Sequence, residues 1–266
     1  MIALRLLRVA LHVLYGLIVC ALVFPRVPAA ARQARVQRWS AQLLRIFRVR
    51  VELVRSVAGA MSTAAGQSDD LHKSWERTLV VSNHVSWLDI FIINAVQPCR
   101  FVAKSDIRDW PLLGYLCAQS DTIFISRGSP RAVRKAFKSL VASIEGGERV
   151  AFFPEGTTAA QGTLLPFHAN LFEAAIDAGV PIQPLALRYL DTQGRAYAGV
   201  DYIGDTTFME SMLVLLRGPA VQAQVIVLPT IASHDSHRRT LALSAHDRIG
   251  AALGYTDDVA SPAAGA

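Results

Sequence analysis

The stretch TLVVSNHVSWLDIFIINAV, residues 78–96, decides the fold. It opens on a short apolar, β-branched run of strand length, closed at Asn83. From Trp87 to Val96 an apolar pattern runs over ten positions, too long for a second such strand and suited to a buried helix. Four residues, Asn83 to Ser86, separate the two, so a buried strand feeds a helix through a tight turn. A strand of that kind needs neighbours and helices to cover both faces, which predicts a layered α/β domain.

The pattern repeats outward from this point. RFVAK (100–104), DTIFIS (121–126), RVAFF (149–153), IQPLALRY (182–189) and VQAQVIVLP (221–229) read as strands. Pro130 to Ile144 and Leu171 to Ala178 read as helices. Upstream, RVRVELVR (48–55) alternates with period 2 as a strand does, whereas SVAGAMSTAAGQSDD (56–70) is small and polar and reads as a loop. The expectation is an α/β fold, a layered mixed sheet flanked by helices, over residues 48–255, with a disordered tail at 256–266.

Residues 1–47 differ in kind. Val9 to Phe24 are sixteen residues without a formal charge. As a helix they cover about 24 Å, short of a hydrocarbon layer of ~30 Å. Arg32, Arg35, Arg38, Arg45 and Arg48 follow, interleaved with Val36, Trp39, Leu43, Leu44, Ile46 and Phe47, as in an amphipathic helix lying in a membrane interface. This predicts a helical membrane anchor that dips into one leaflet. A full span and a signal peptide are the alternatives.

Composition supports a membrane partner. Of 266 residues, 52% are hydrophobic and 18% charged. The net charge of +6 conceals a division, because residues 1–55 hold ten Arg and one Glu while the rest is slightly acidic. The excess flanks the apolar segment, where anionic headgroups would meet it, and not the folded domain, where a nucleic acid would. Cys20, Cys99 and Cys117 form no CxxC pair, which disfavours a disulfide framework or thiolate zinc site and suits a reducing compartment. His234-Asp235-Ser236-His237 lacks a third ligand and reads as a solvated loop, so no metal is expected. GxGxxG, Walker, HExxH and GxSxG patterns are absent, leaving nucleotide chemistry and nucleophile-elbow hydrolysis without support.

Two segments carry chemistry. His84 closes the buried strand, and Asp89, five residues on, can return beside it across the turn. Such a pair fixes the imidazole tautomer and stabilises the imidazolium formed when histidine takes a proton. Ser86-x-x-Asp89 also fits a capping box, so capping and catalysis stand side by side. The other segment, Phe152-Phe153-Pro154-Glu155-Gly156-Thr157-Thr158, ends another buried strand. Here Gly156 allows close approach of a ligand, Glu155 could accept from a substrate hydroxyl, and N–H groups near Gly156 and Thr157 could face an anion. An ordinary glycine turn is its bland alternative.

Together these segments resemble the glycerolipid acyltransferase family typified by lysophosphatidate acyltransferase. Its first motif appears as His84 to Asp89 and its third as Phe153-Pro154-Glu155-Gly156-Thr157. Ile123-Phe124-Ile125-Ser126-Arg127 resembles its motif two, and Val180-Pro181-Ile182-Gln183-Pro184 its motif four. Order and spacing agree over roughly residues 75–190. The resemblance implies transfer of a fatty acyl group from acyl-CoA or acyl-carrier protein to lysophosphatidic acid, giving phosphatidic acid, at the cytoplasmic face of the cell membrane. No cofactor, metal or covalent intermediate is implied. His84 would be the base and Asp89 its orienter. Glu155, Gly156 and Thr157 would position the acceptor, and Arg127 with Lys104 its anionic headgroup. Trp110 to Leu116 would line an acyl tunnel, or else simply pack in the core. Thr158 and His168 stand where many members carry Arg and Lys. That departure admits lyso-ornithine lipid, or another lysolipid, as the acceptor. A non-catalytic lipid-binding protein on the same fold is a further alternative, disfavoured because His84 and Asp89 are both present.

Overall fold

The computed structural model describes residues 2–57, 60–63, 75, 77–126 and 130–255. Eight strands form one sheet: β1 (Val49–Val57), β2 (Ala60–Thr63), β3 (Leu79–Ser82), β4 (Arg100–Lys104), β5 (Ile123–Ile125), β6 (Val150–Phe152), β7 (Ile182–Leu190) and β8 (Val221–Val227). Their order is β2-β1-β8-β7-β3-β6-β4-β5. Strands β7, β3, β6, β4 and β5 are mutually parallel, while β8 joins β7 antiparallel and β1 lies parallel to β8. The mixed sheet expected from the sequence is thus present, and its parallel half has all its C-terminal ends on one edge.

The alternation of side chains across each strand divides the core into two layers. Val80 of β3 and Ala151 of β6 face a cluster that includes Leu88, Ile92 and Ile93 of α3 (Leu88–Val96). Leu79, Val81, Val150 and Phe152 face the opposite cluster, with Ala136, Leu140 and Ile144 of α5 (Pro130–Glu145). Between these helices comes α4 (Leu113–Gln119), and later in the chain α6 (Glu173–Asp177), α7 (Phe208–Arg217) and α8 (Arg238–Leu253). Thr207 and Glu210 close a capping box at the start of α7. His237 caps α8 by accepting from the Arg239 N–H, so the His234–His237 stretch serves a helix end.

The expected loop at 56–70 is corrected in part. Strand β1 continues to Val57 and β2 follows, paired antiparallel from Val54↔Thr63 to Val57↔Ala60. Hairpin pairing uses backbone groups, so it needs no apolar alternation, and a run of small residues conceals it. Residues 64–70 and the tail 256–266 lie outside the described residues.

The N-terminal helices lie against the domain on the α3 side. Helix α1 (Ile2–Ile18) continues through a π turn and a 3-10 turn to Arg26, and an 18-residue window of this 25-residue unit has a mean hydropathy of 2.3. Its length and composition suffice to cross a membrane. One face packs on the core through Ile2, Leu6 and Val9. The other exposes Leu4, Leu7, Leu11, Leu14 and Ile18, a stripe at helical spacing. Arg5 donates to the Leu216 carbonyl, and His12 stacks on Trp39 at 4.6 Å. Gly16 meets the same indole so closely that a Cβ there would lie 2.7 Å from its Nε1. Helix α2 (Ala29–Ile46) inserts Leu43 and Leu44 into the core, with Phe47 just beyond its end. Burying each such side chain contributes about 1.5–3 kcal/mol, so α2 is a structural part of the α/β body.

Candidate active site

His84 follows the end of β3, at the C-terminal edge of the parallel strands. Beyond Ser82, β3 stops pairing with β7, and the Asn83 side chain continues the ladder. Its Nδ2 donates to the Leu187 carbonyl at 2.9 Å and its Oδ1 accepts from the Leu187 N–H at 2.7 Å. This fixes the turn from which His84 projects. The imidazole stacks flat on Phe153, with centroids 3.9 Å apart, so both the plane and the position of the ring are set.

Asp89, in the first turn of α3, returns to the histidine as the spacing suggested. Its Oδ2 lies 2.8 Å from His84 Nδ1 and also accepts from the N–H groups of Val85 at 2.7 Å and Ser86 at 3.0 Å. Its Oδ1 accepts from the Tyr189 hydroxyl. The carboxylate is fully buried. Four donors converge on it, and the contact with Oδ2 makes Nδ1 of the histidine one of them. The outer nitrogen, Nε2, has no hydrogen-bond partner among the described residues, and the His84 side chain keeps 17% of its surface exposed. Only half of the capping box forms, because Asp89 reaches back while Ser86 Oγ has no partner among the described residues. The Val85 and Ser86 N–H groups are engaged by Asp89 and are not available to an incoming anion.

Glu155 lies beside this pair but faces the chain. Oε1 accepts from the His84 N–H at 2.7 Å and Oε2 from the Leu165 N–H at 2.9 Å. The carboxyl therefore ties the two motif turns together. Burial raises its pKa above the ordinary 4.5, a shift only partly offset by the Leu165 and His84 N–H groups. Ala159 N–H adds another tie, to the His84 carbonyl at 2.8 Å. Gly156 adopts φ +70°, the left-handed conformation that favours glycine, and donates its N–H to the Phe153 carbonyl at 3.1 Å. Thr157 is exposed at the rim. Thr158 donates its hydroxyl to the Tyr202 carbonyl, and His168 is exposed, so neither supplies a fixed charge to the turn.

Lys104 ends β4 on the same edge, exposed, two strand spacings or about 10 Å from β3. Arg127 lies outside the described residues. Tyr189 was not legible as a site residue, being 100 positions from Asp89 with no spacing signal to connect them. Burial, then the charge of Asp89, push its phenol well above its ordinary range, so it stays a donor.

A cavity of about 360 Å³ opens between α1, α2, α3 and α4. Val19, Trp39, Ile90, Phe101, Leu113 and Leu116 are among its walls. Phe101 stacks on Phe153 at 5.8 Å, and Phe153 stacks on His84, so the cavity is two rings removed from the imidazole. Of the expected Trp110–Leu116 lining, Leu113 and Leu116 contribute, while Trp110, Leu112 and Tyr115 are exposed. Cys99 is also on the wall, and burial pushes its thiol up to about 12, which removes it as a nucleophile.

Compared with known proteins, residues 62–188 match the family model described as Acyltransferase. The chain is 40% identical over 152 residues to a 1-acyl-sn-glycerol-3-phosphate acyltransferase of Neisseria meningitidis, covering 57% of this chain and 60% of that one. It is 32% identical over 188 residues to a lyso-ornithine lipid O-acyltransferase of Brucella abortus, covering 66% and 70%. The match spans 60% and 49% of the length of the two Neisseria relatives. The crystal structure of the 1-acyl-sn-glycerophosphate acyltransferase of Thermotoga maritima superposes with a TM-score of 0.61 at 16% identity, over 94% of this chain and 96% of that one, which shows a shared fold. A histidine–aspartate pair held at the sheet edge, on this fold and with these relatives, places the chain in the glycerolipid acyltransferase family.

Proposed function

We propose that the chain transfers a fatty acyl group from a thioester, acyl-CoA or acyl-carrier protein, to the free hydroxyl of a lysolipid, with lysophosphatidic acid as acceptor and phosphatidic acid as product. The observation that carries this reading is the 2.8 Å contact of His84 Nδ1 with Asp89, which leaves Nε2 as the one basic atom of the pair facing outward. A lysolipid hydroxyl placed against Nε2 loses its proton as its oxygen attacks the thioester carbonyl. The tetrahedral intermediate collapses by breaking the C–S bond, and the imidazolium returns the proton to the departing thiolate. Asp89 stabilises the imidazolium during this passage and Tyr189 holds the far oxygen of Asp89. Thiolates leave readily, so proton removal and positioning supply most of the required acceleration.

The remaining parts follow from location. The cavity beside Phe101 is apolar enough to receive an acyl chain whose reacting end lies at His84. Glu155 holds the His84 and Leu165 turns together and so positions the acceptor loop containing Gly156 and Thr157. Lys104 and Arg127 attract the anionic headgroup. The exposed stripe of α1 enters one leaflet of the cell membrane while its other face stays on the domain, which favours an embedded helix over a full crossing. The catalytic edge then lies at the cytoplasmic surface.

Lyso-ornithine lipid is the other reading for the acceptor. Thr158 is neutral and engaged by Tyr202, and relatives named lyso-ornithine lipid O-acyltransferases match over about two thirds of their length. Incubating the purified protein with palmitoyl-CoA, or palmitoyl-carrier protein, and a panel of lysolipids decides between them by mass spectrometry. Phosphatidic acid supports the first reading, acylated ornithine lipid the alternative. No acylated product from any lysolipid with either donor would overturn both.

A further inference from the structure

Helix α5 presents Arg131, Arg134, Lys135 and Lys138 at i, i+3, i+4 and i+7, one face of a helix. All four are exposed, and none forms an ion pair among the described residues. The opposite face buries Ala136, Leu140 and Ile144 in the core. The only acidic residue of the helix is Glu145, at its last position.

The placement works against helix stability. Cations belong near a helix C-terminus and anions near its N-terminus, whereas α5 has no acidic residue in its first turn and no basic one in its last. Four cations crowded into the first half of the helix also repel one another. Such a pattern answers to something outside the helix.

Four features say what that is. The domain containing the helix is otherwise slightly acidic, so this face is a local exception. Helix α5 covers the opposite side of the sheet from α1 and α2, and a flat bilayer holding the α1 stripe does not lie beneath it. The stripe is about 10 Å long, which matches a row of carboxylates along another helix better than the compact phosphates of a nucleotide. The helix starts at the C-terminal end of β5, three strand spacings or about 14 Å from β3, on the edge that carries His84.

We propose that the outer face of α5 is the docking surface for an acidic helical acyl-carrier protein, which from there extends its thioester-bearing arm along the sheet edge to His84. The proposal rests on the thioester-dependent transfer proposed above and selects the carrier protein as a donor with its own site.

The test compares the full chain in detergent with an Arg131→Glu/Arg134→Glu/Lys138→Glu variant. Binding of fluorescently labelled holo carrier protein is read by anisotropy at low salt, and transfer is assayed with palmitoyl-carrier protein and with palmitoyl-CoA. The expected result is a Kd for the carrier at least tenfold weaker, a matching rise in KM for palmitoyl-carrier protein, and a KM for palmitoyl-CoA within twofold. The variant should melt no lower than the wild type, since acids now sit at the helix N-terminus. An Arg134→Gln/Lys138→Gln variant should show the same order of effects, smaller in size. Carrier binding unaffected by the substitutions overturns the proposal, as does a wild type that does not bind the carrier. Equal losses with both donors would make the face a nucleotide-phosphate site, and lost binding to phosphatidylglycerol vesicles with carrier binding intact would make it a lipid contact. Either outcome overturns it. Because carrier binding is measured without turnover, an enzyme inactive with both donors refutes the proposed reaction separately from the docking surface.

Discussion

Replacing Asp89 with Asn separates the charge of the buried carboxylate from its geometry. Oδ2 receives three N–H donors, from His84, Val85 and Ser86, and Oδ1 receives the Tyr189 hydroxyl. An asparagine carbonyl in the place of Oδ2 can accept the same three. Its amino group then donates to the Tyr189 oxygen, because a phenol turns from donor to acceptor. The tautomer of His84 is therefore preserved. Weakening the bonds from charge-assisted to neutral costs about 1 kcal/mol each, offset in part by no longer burying a charge. With a net loss of about 2 kcal/mol, Tm falls by less than about 8 °C. What disappears is the attraction between carboxylate and imidazolium, about 4 kcal/mol for charge centres about 4 Å apart at an effective dielectric of about 20. That attraction exists only while His84 holds the proton, so its loss appears in kcat, as a drop of about 10³. Initial rates of acyl transfer in mixed micelles, with melting followed by intrinsic fluorescence, measure both quantities. A kcat within tenfold of wild type would refute the role of the charge, and loss of folding would mean that Asp89 is chiefly a cap.

Tyr189→Phe removes one buried donor to Asp89, which costs about 1.5–3 kcal/mol of stability. Activity should fall less than tenfold, because the His84 contact remains; a loss equal to that of Asp89→Asn would give the tyrosine a larger part. Glu155 has its pKa raised by burial, so its contribution to stability is present below the unfolded value of 4.5 and is lost as pH rises through the folded value. The Tm difference between wild type and Glu155→Gln should therefore shrink as pH rises above about 4.5, and a difference that grows with pH contradicts the sign. Leu7→Glu/Leu11→Glu/Leu14→Glu places charges on the exposed stripe of α1 and should abolish flotation with liposomes without lowering Tm by more than a few degrees. Unchanged flotation would move membrane attachment away from α1.

Much of this architecture is legible in local pattern. The strand–turn–helix at 78–96 contains its own signals, an apolar β-branched run and then a longer apolar run, and it places His84 and Asp89 within reach of each other. Elements whose signals are weaker escape. Strand β2 is built from backbone pairing of small residues, and α8 begins at a histidine cap that propensity does not favour. Helix α7 does have a signal, the Thr207-x-x-Glu210 box, that a search for caps finds. The roles of Glu155 and Tyr189 depend on partners far along the chain. From sequence, Glu155 reads as a group facing substrate; in the fold its oxygens meet the N–H groups of His84 and Leu165. Which backbone group a buried carboxyl meets is decided by tertiary packing, and local pattern contains no trace of it.

The most direct test of the central claim is product formation by His84→Ala beside the wild type, with palmitoyl-CoA and the preferred lysolipid, quantified by mass spectrometry and paired with a melting curve. The separate anchoring of the turn by Asn83, whose amide engages both backbone groups of Leu187, means that the variant should fold. The account predicts acylated lysolipid from the wild type and a rate lower by at least about 10² in the variant at nearly unchanged Tm. Product at near wild-type rate from a folded His84→Ala protein would contradict it.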